Sequence, residues 1–392
     1  MERTVAEAIA RALLHAGVKV ITCVPSTGAS EVFDYFNAIS RQHNPVSFNE
    51  EPAYSIAHGA GITGTRSAVL VKSHGIIKAG NSVSDSLFSG TTAGMLAVVF
   101  TDKTGLHSDS ILDIEPFLKG IGIPYQLADT GNIYRQIFQL LDQSEKLCLP
   151  HALVIETSEI NRLTQIVETI NSNNSSPIYR RNITQQVLCP FFTPYQSSVL
   201  NCKINNQDWS RLPQPEIPHI PESLPDKWKP FGETYAGLFS VFQKIRGPVV
   251  TGDTGISTLF ACEPYNCIDI TTYMGGSIPL AAGAYMGEHR AVWAVTGDFA
   301  FIAAGHMGLL EVWQRHLPLK ILILYNGKSA TTGGQPIPDN TLETLLCGYN
   351  EYLSFITDPQ NLDEVATVLK KAQFSSKLAI VVADYRSQSR SV

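Results

Sequence analysis

The sequence is short of several features that would decide its class at once. Its seven cysteines are scattered, and the nearest pair is Cys262 and Cys267. With no C-x-x-C pair there is no compact zinc or iron–sulfur pattern, and the odd count suits a reducing compartment. Lys and Arg number 29 against 35 Asp and Glu, a net charge of −6, and no basic block is interleaved with aromatics. That balance argues against a nucleic-acid or anionic-membrane surface. No apolar run approaches the length of a membrane helix. The start, "MERTVAEAIARALLHAGVKV", lacks the apolar core and cleavage pattern of a signal peptide. A cytoplasmic chain is expected, with neither a nucleic-acid nor a membrane partner. No G-x-G-x-x-G follows a strand near the start, which argues against nicotinamide binding. The "GKS" at 327–329 is not a P-loop, because Leu322 stands where the first glycine is needed.

What is present fits a large α/β protein. The 392 residues are 44% apolar and 16% charged, enough for two cores. Helix-like and strand-like segments alternate through the first 160 residues, from "VAEAIARALLHAG" and "VKVITCVP" to "SAVLVKS", "MLAVVFTD" and "HALVIETS". A second alternating series starts near 231, with "ETYAGLFSVFQKI", "GPVVTGD", "NLDEVATVLKKAQ" and "LAIVVADY". Between them the composition shifts to Pro, Asn and Ser without a period. The expected organisation is two doubly wound parallel-sheet domains, 1–165 and 231–392, joined by a surface linker at 166–230.

The most informative stretch is "GDFAFIAAGHMGLLEVWQRHLPLKILILYNGKSATTGG", residues 297–334. An apolar run, "RAVWAVT", ends at Gly297-Asp298. A helical spacing of Leu309, Leu310, Val312 and Trp313 follows, then "KILILY" stops at Asn326-Gly327. This is a βαβ unit, so Asp298 and Asn326 fall just past the carboxyl ends of parallel strands, the edge where such sheets bind ligands. Both side chains present hard oxygens that suit magnesium together with phosphate oxygens. An ordinary βαβ unit with turn residues at its strand ends satisfies the same spacing.

Other polar positions are ambiguous singly. Glu50 and Glu51 precede a helix, where an acid is favoured by the helix dipole alone. Ser73 and His74 sit in a glycine-bearing loop after a strand, His107 follows another strand, and His306 lies beyond Asp298; each histidine is also an ordinary hydrogen-bonding residue. Asp253, with glycines on either side in "TGDTG", is a phosphate cradle or a tight turn.

Taken together, these stretches resemble the thiamine-diphosphate-dependent enzymes. Gly297-Asp298 with Asn326 28 residues beyond Asp298 is similar to that superfamily's diphosphate–magnesium motif, with Phe299 and Tyr325 as departures from it. "NEEPA" looks like the glutamate signature of its pyrimidine-binding domain, with Glu50 the matching acid, and "MGGSIPLAAGA" resembles the segment that places an apolar residue under the cofactor. Within the superfamily, "TGDTGISTL", "YMGGS", "GDFAF", "YNGKSATTGGQP" and "TGLHSDS" are similar to the thiamine-binding subunit of indolepyruvate ferredoxin oxidoreductase. The architecture, lacking that subunit's cysteine-rich module, resembles short 2-oxo acid decarboxylases of the phosphonopyruvate and sulfopyruvate type.

The resemblance implies thiamine diphosphate and magnesium as cofactors. It assigns cofactor binding to Glu50, Asp253, Thr254, Met274, Gly275, Gly297, Asp298, Phe299, Ala300, Asn326 and Lys328. Magnesium would be held by Asp298, Asn326 and the backbone carbonyl of Lys328. Glu50 would activate the cofactor, Met274 would support its rings, and His74 and His107 would bind a carboxylate or shuttle protons. It also implies a homodimer or a dimer of dimers with sites shared between subunits. The leading expectation is a lyase that decarboxylates a 2-oxo acid, an aryl-pyruvate by analogy, with release of the aldehyde or its transfer to an acceptor. The alternatives are an oxidoreductase subunit with a separate iron–sulfur partner and a scaffold that has lost catalysis; retained Glu50, Asp298 and Asn326 argue against the last.

Overall fold

The computed structural model describes residues 1–167 and 177–388. They divide into two compact units, one of 1–180 with 199–210, the other of 181–198 with 211–392. None of the described helices is long and apolar enough to cross a membrane.

In the first unit the strands are β1 (Glu2–Thr4), β2 (Val20–Cys23), β3 (Ser67–Lys72), β4 (Met95–Thr101), β5 (Tyr125–Leu127), β6 (His151–Glu156) and β7 (Leu163–Gln165). Five form one sheet in the order β2-β3-β4-β6-β5, every neighbouring pair parallel. β4 is buried along its whole length, as expected of a central strand covered on both faces by helices. β1 and β7 pair antiparallel outside this sheet.

The second unit carries β8 (Val250–Asp253), β9 (Ile270–Thr272), β10 (Trp293–Gly297), β11 (Lys320–Tyr325), β12 (Leu353–Ile356) and β13 (Ala379–Asp384). Their order is β12-β13-β11-β10-β8-β9, again all parallel. From β8 the chain first adds β9 on one side and then β10 on the other. Strand order reverses between β8 and β10, and the crevice at such a reversal is where open α/β sheets take ligands. The expected α/β class of two parallel-sheet units is what the chain adopts.

Two expectations need correction. The stretch 166–230 is not a surface linker. Residues 168–176 lie outside the described residues, but Ile183, Val187, Phe192, Ile220 and Leu224 are buried in the core of the second unit. Arg181 ties the segment down by donating to buried Asp269 and to the carbonyls of Ala261 and Ile268. The "KSHGIIKAGNS" stretch, expected to be a loop, is helical over Ser73–Lys78 and again from Gly80 to Ser89. Ile76 of the first helix and Val83 of the second both go into the core, which stabilises helix over loop despite the glycines.

Candidate cofactor site

At the carboxyl ends of β8, β10 and β11 the second unit has a cavity of about 180 Å³. Its lining includes Asp253, Thr254, Met274, Gly297, Asp298, Phe299, Ala300, Asn326 and Lys328. The structure thus brings together the sequence-expected residues of this unit, with Gly275 lying under the wall. A β-carbon on Gly275 would come within 2.6 Å of the Gly305 amide nitrogen and 2.8 Å of the Ala300 carbonyl, and its φ of +92° is one that only glycine adopts at ease.

Asp298 begins the helical stretch that runs to Gln314, with a π-helical turn over Phe301–Gly305. The positive end of that stretch faces the cavity, which favours an anion there. Asp298 is almost wholly buried. Its Oδ1 accepts from the amide of Phe299 at 2.8 Å, and Oδ2 accepts from the amides of Asn326 at 3.0 Å and Gly327 at 2.6 Å. Burial pushes its carboxyl up to about 6, against the pull of those amides. Asn326 is fixed at both ends of its carboxamide: Oδ1 accepts from the Lys328 amide at 3.0 Å, and Nδ2 donates to the Tyr235 hydroxyl at 3.1 Å.

Asp253 plays a different part. It is fully enclosed, accepting from the Ser277 amide at 2.8 Å and from the Thr296 hydroxyl, so it joins the ends of β8 and β10 to the helix Ser277–Met286. Burial raises its carboxyl to about 6. Its side chain braces the floor of the cavity more than it offers a ligand.

The donors fit a divalent cation and a diphosphate. One carboxylate oxygen, one carboxamide oxygen and a backbone carbonyl are hard ligands that leave octahedral positions for phosphate oxygens and water. Among the described residues no group of three or more His, Cys, Asp and Glu could hold a metal without such help. Gly297 supplies the space: a β-carbon built on it meets nothing within 4 Å, so the backbone lies bare to the cavity. Met274 and Phe299 stand at the mouth, 38% and 39% exposed, large apolar side chains with one face uncovered.

In the first unit Glu50 starts the helix Glu50–Ile62, which Asn49 caps by accepting from the Glu51 amide. Glu50 pairs with Lys78 at 3.0 Å. It packs so closely on Gly75 that a β-carbon there would lie 2.7 Å from Glu50 Cγ. Burial, partly offset by Lys78, raises the carboxyl of Glu51. His74 is exposed and its Nε2 meets the Ser110 hydroxyl at 2.8 Å. His107 is exposed too: its amide donates to Asp102, and its carbonyl accepts from Lys72 at 2.6 Å. His74 and His107 therefore occupy neighbouring turns after β3 and β4. His306 is turned onto the Phe301 carbonyl of its own helix, away from the cavity lining.

Sequence reading missed Tyr235, Thr296 and the hydroxyls of Ser329, Thr331 and Thr332, which line or brace the site. Only the last three carried a signal, as a hydroxyl-rich run directly after a strand.

Comparison with known proteins agrees with this geometry. Residues 253–380 match the family model "Thiamine pyrophosphate enzyme, C-terminal TPP binding domain". The indolepyruvate oxidoreductase subunit IorA of Archaeoglobus fulgidus is 25% identical over 166 residues, 39% of this chain and 27% of that protein. Its counterpart from Methanothermobacter marburgensis is 25% identical over 191 residues, 47% of this chain and 31% of that protein. The matched stretch thus spans only about a quarter to a third of these relatives. Among solved structures, the Rhodococcus jostii RHA1 thiamine diphosphate-dependent 4-hydroxybenzoylformate decarboxylase superposes with a TM-score of 0.66 at 13% identity, covering 97% of this chain and 98% of that one. Benzoylformate decarboxylase from Polynucleobacter necessarius gives 0.67 at 11% identity, covering 97% and 98%. At such identities these two show a shared fold.

Proposed function

From the match of residues 253–380 to a thiamine pyrophosphate enzyme domain, we propose that this chain is a thiamine-diphosphate- and magnesium-dependent carboxy-lyase acting on a 2-oxo acid without an electron acceptor. The substrate class is an aryl-substituted 2-oxo acid, and the aldehyde unit is released or passed to an acceptor. The observation that carries the reading is the Asp298–Asn326 pair beside the bare backbone of Gly297, at the carboxyl ends of β10 and β11, next to the reversal between β8 and β10. That geometry suits a charged diphosphate and would leave the rest of the cofactor free to meet substrate.

Bound thiamine diphosphate supplies a nucleophilic carbon and a sink for the electron pair that carbon dioxide leaves behind. The chain's own residues hold and protonate. Asp298, Asn326 Oδ1 and the Lys328 carbonyl would hold magnesium, which would supply the charge that fixes a diphosphate there. Met274 supports the rings from the cavity mouth, a proximity effect. Glu50, positioned by its pair with Lys78, would serve the pyrimidine ring as an acid–base partner. His74 and His107 would bind the substrate carboxylate or shuttle protons. The enzyme works in the cytoplasm as at least a homodimer with two shared sites.

A second reading is an oxidoreductase subunit that passes electrons to a separate iron–sulfur protein, favoured by the names of the curated relatives. Against it, the sequence holds no compact iron–sulfur pattern. The cysteines are also scattered, with Cys23, Cys189, Cys262 and Cys267 buried. The test is a screen of 2-oxo acids for carbon dioxide release with thiamine diphosphate and magnesium, with and without a dye or ferredoxin. A colourless, iron-free protein that yields aldehyde or acyloin without an acceptor is the expected result. Turnover only with the acceptor would establish the second reading.

A further inference from the structure

A second and larger cavity, about 470 Å³, adjoins the cofactor cavity in the same unit. The two share Thr254, Gly255, Ile256, Thr331 and Thr332 as a common rim. Beyond that rim the walls are Leu188, Phe191, Leu224, Trp228 and Leu259, with Cys189 beside them. Among the described residues no charged side chain lines the cavity. Its size lies within the roughly 300–1,000 Å³ of small-molecule pockets, and apolar, aromatic walls with a few hydroxyls are their usual make-up.

The walls are held in place. The Leu188 amide donates to Thr271 Oγ1 at 2.6 Å, and the Thr193 hydroxyl donates to the Cys189 carbonyl at 3.0 Å. Gln196 Nε2 donates to the Val187 carbonyl at 2.9 Å. Trp228 packs against Phe231 with ring centroids 5.6 Å apart. At the shared rim a β-carbon on Gly255 would meet nothing within 4 Å, so no side chain crowds the rim at that point.

We infer that this cavity receives the apolar, aryl end of the 2-oxo acid, and that Trp228 and Phe191 set the enzyme's preference for aryl over small alkyl substrates. The inference rests on the reading of the chain as a 2-oxo acid decarboxylase. A wall without charge rejects the carboxylate, since an unpaired ion in such surroundings is strongly disfavoured. The carboxylate and carbonyl therefore stay at the threonine rim, next to the cofactor cavity, while the ring enters the apolar space and stacks against two aromatic faces. A methyl group in place of the ring would leave most of the cavity to water.

The experiment has two readouts. The first is binding of 3-phenylpropanoate, which lacks the 2-oxo group, against propanoate, measured by calorimetry on the full chain without added cofactor. The second is kcat/KM for phenylpyruvate against pyruvate. Wild type is expected to bind the phenyl probe and not propanoate, and to prefer phenylpyruvate. Trp228→Ala and Phe191→Ala should each lower that preference about 10-fold or more, the scale of lost apolar contacts in a pocket. Leu188→Trp, which fills the cavity while keeping its walls, should block the phenyl probe and guards against misfolding of the alanine variants. Equal binding of both probes, or an unchanged preference in a folded Leu188→Trp protein, overturns the inference even if decarboxylation is found. Selective phenyl binding that Leu188→Trp abolishes, in a protein that decarboxylates nothing, sustains the pocket and removes the decarboxylase reading.

Discussion

Asp298 closes the turn that carries Asn326: its Oδ2 accepts the Asn326 amide at 3.0 Å and the next amide, of Gly327, at 2.6 Å. The two residues end adjacent parallel strands and are locked together before any ligand arrives. Asp298 achieves this with neutral donors; among the described residues no Lys or Arg pairs with it. A buried carboxylate solvated only by amides is poised for a cation, because the cation supplies the charge that burial makes costly to leave uncompensated.

Replacing Asp298 by Ala should therefore cost twice. Magnesium-dependent affinity for thiamine diphosphate should fall by at least about 10²-fold, since a metal ligand is lost. Stability should drop by about 1–3 kcal/mol for each amide left without its acceptor. Calorimetric titration and thermal unfolding read the two effects separately, and unchanged cofactor affinity would refute the anchor assignment.

Two glycines of the site should respond in opposite ways. Gly297 has φ −85° and open space where a side chain would go. Gly297→Val should keep its stability within about 0.5 kcal/mol of wild type while it obstructs cofactor binding. Gly275→Ala would place a β-carbon against backbone atoms at φ +92° and should destabilise the fold by about 2 kcal/mol or more. If Gly297→Val bound cofactor normally, the bare backbone would not be the cofactor's seat.

These contrasts show what could be read ahead of the structure. The βαβ unit was legible because "VWAVT" and "KILILY" are short apolar runs with glycine or Asn-Gly stops, a local pattern. The segment 181–228 was not. Its core residues include two pairs four apart, Ile183 with Val187 and Ile220 with Leu224, but neither spacing continues for another turn, and prolines and polar residues fill the rest. They are buried by contacts distant in sequence, which no local window reports. Asp253 was legible as a site residue, but its role as a brace depends on the Thr296 hydroxyl 43 positions away.

Asp253 also gives the fold a pH signature. Burial raises its carboxyl from 3.8 to about 6, so the folded state favours the protonated form. Its stabilising contribution is full below pH 3.8 and is lost as pH rises through about 6. Without cofactor, unfolding free energy should decline over that window by on the order of 3 kcal/mol from this group. Denaturant titrations from pH 4 to 7 should show the decline in wild type and a flatter profile in Asp253→Asn; identical slopes would contradict the assignment.

Glu50 and Glu51 are separated by a simple pair of variants. Glu50→Gln retains shape but not charge, and should lower turnover by roughly 10²-fold, typical of an acid–base group, with little change in cofactor affinity. Glu51→Gln should be close to wild type, because Glu51's role is at the helix start, where its carbonyl accepts from Ser55 and Ser82. Steady-state kinetics with the reverse outcome would move the catalytic acid one position along the chain.

The brace Asp253 and the candidate anchors Asp298, Asn326 and Lys328 come from one uninterrupted stretch of 253–328, while the far walls of the adjoining apolar cavity come from 188–193 and 224–228. In hereditary terms these are separate texts. Recombination that moves the first stretch carries the whole anchor with it, and drift in the second re-shapes the cavity without rewriting a single anchor. A lineage built this way can change what it consumes while keeping the coenzyme it depends on.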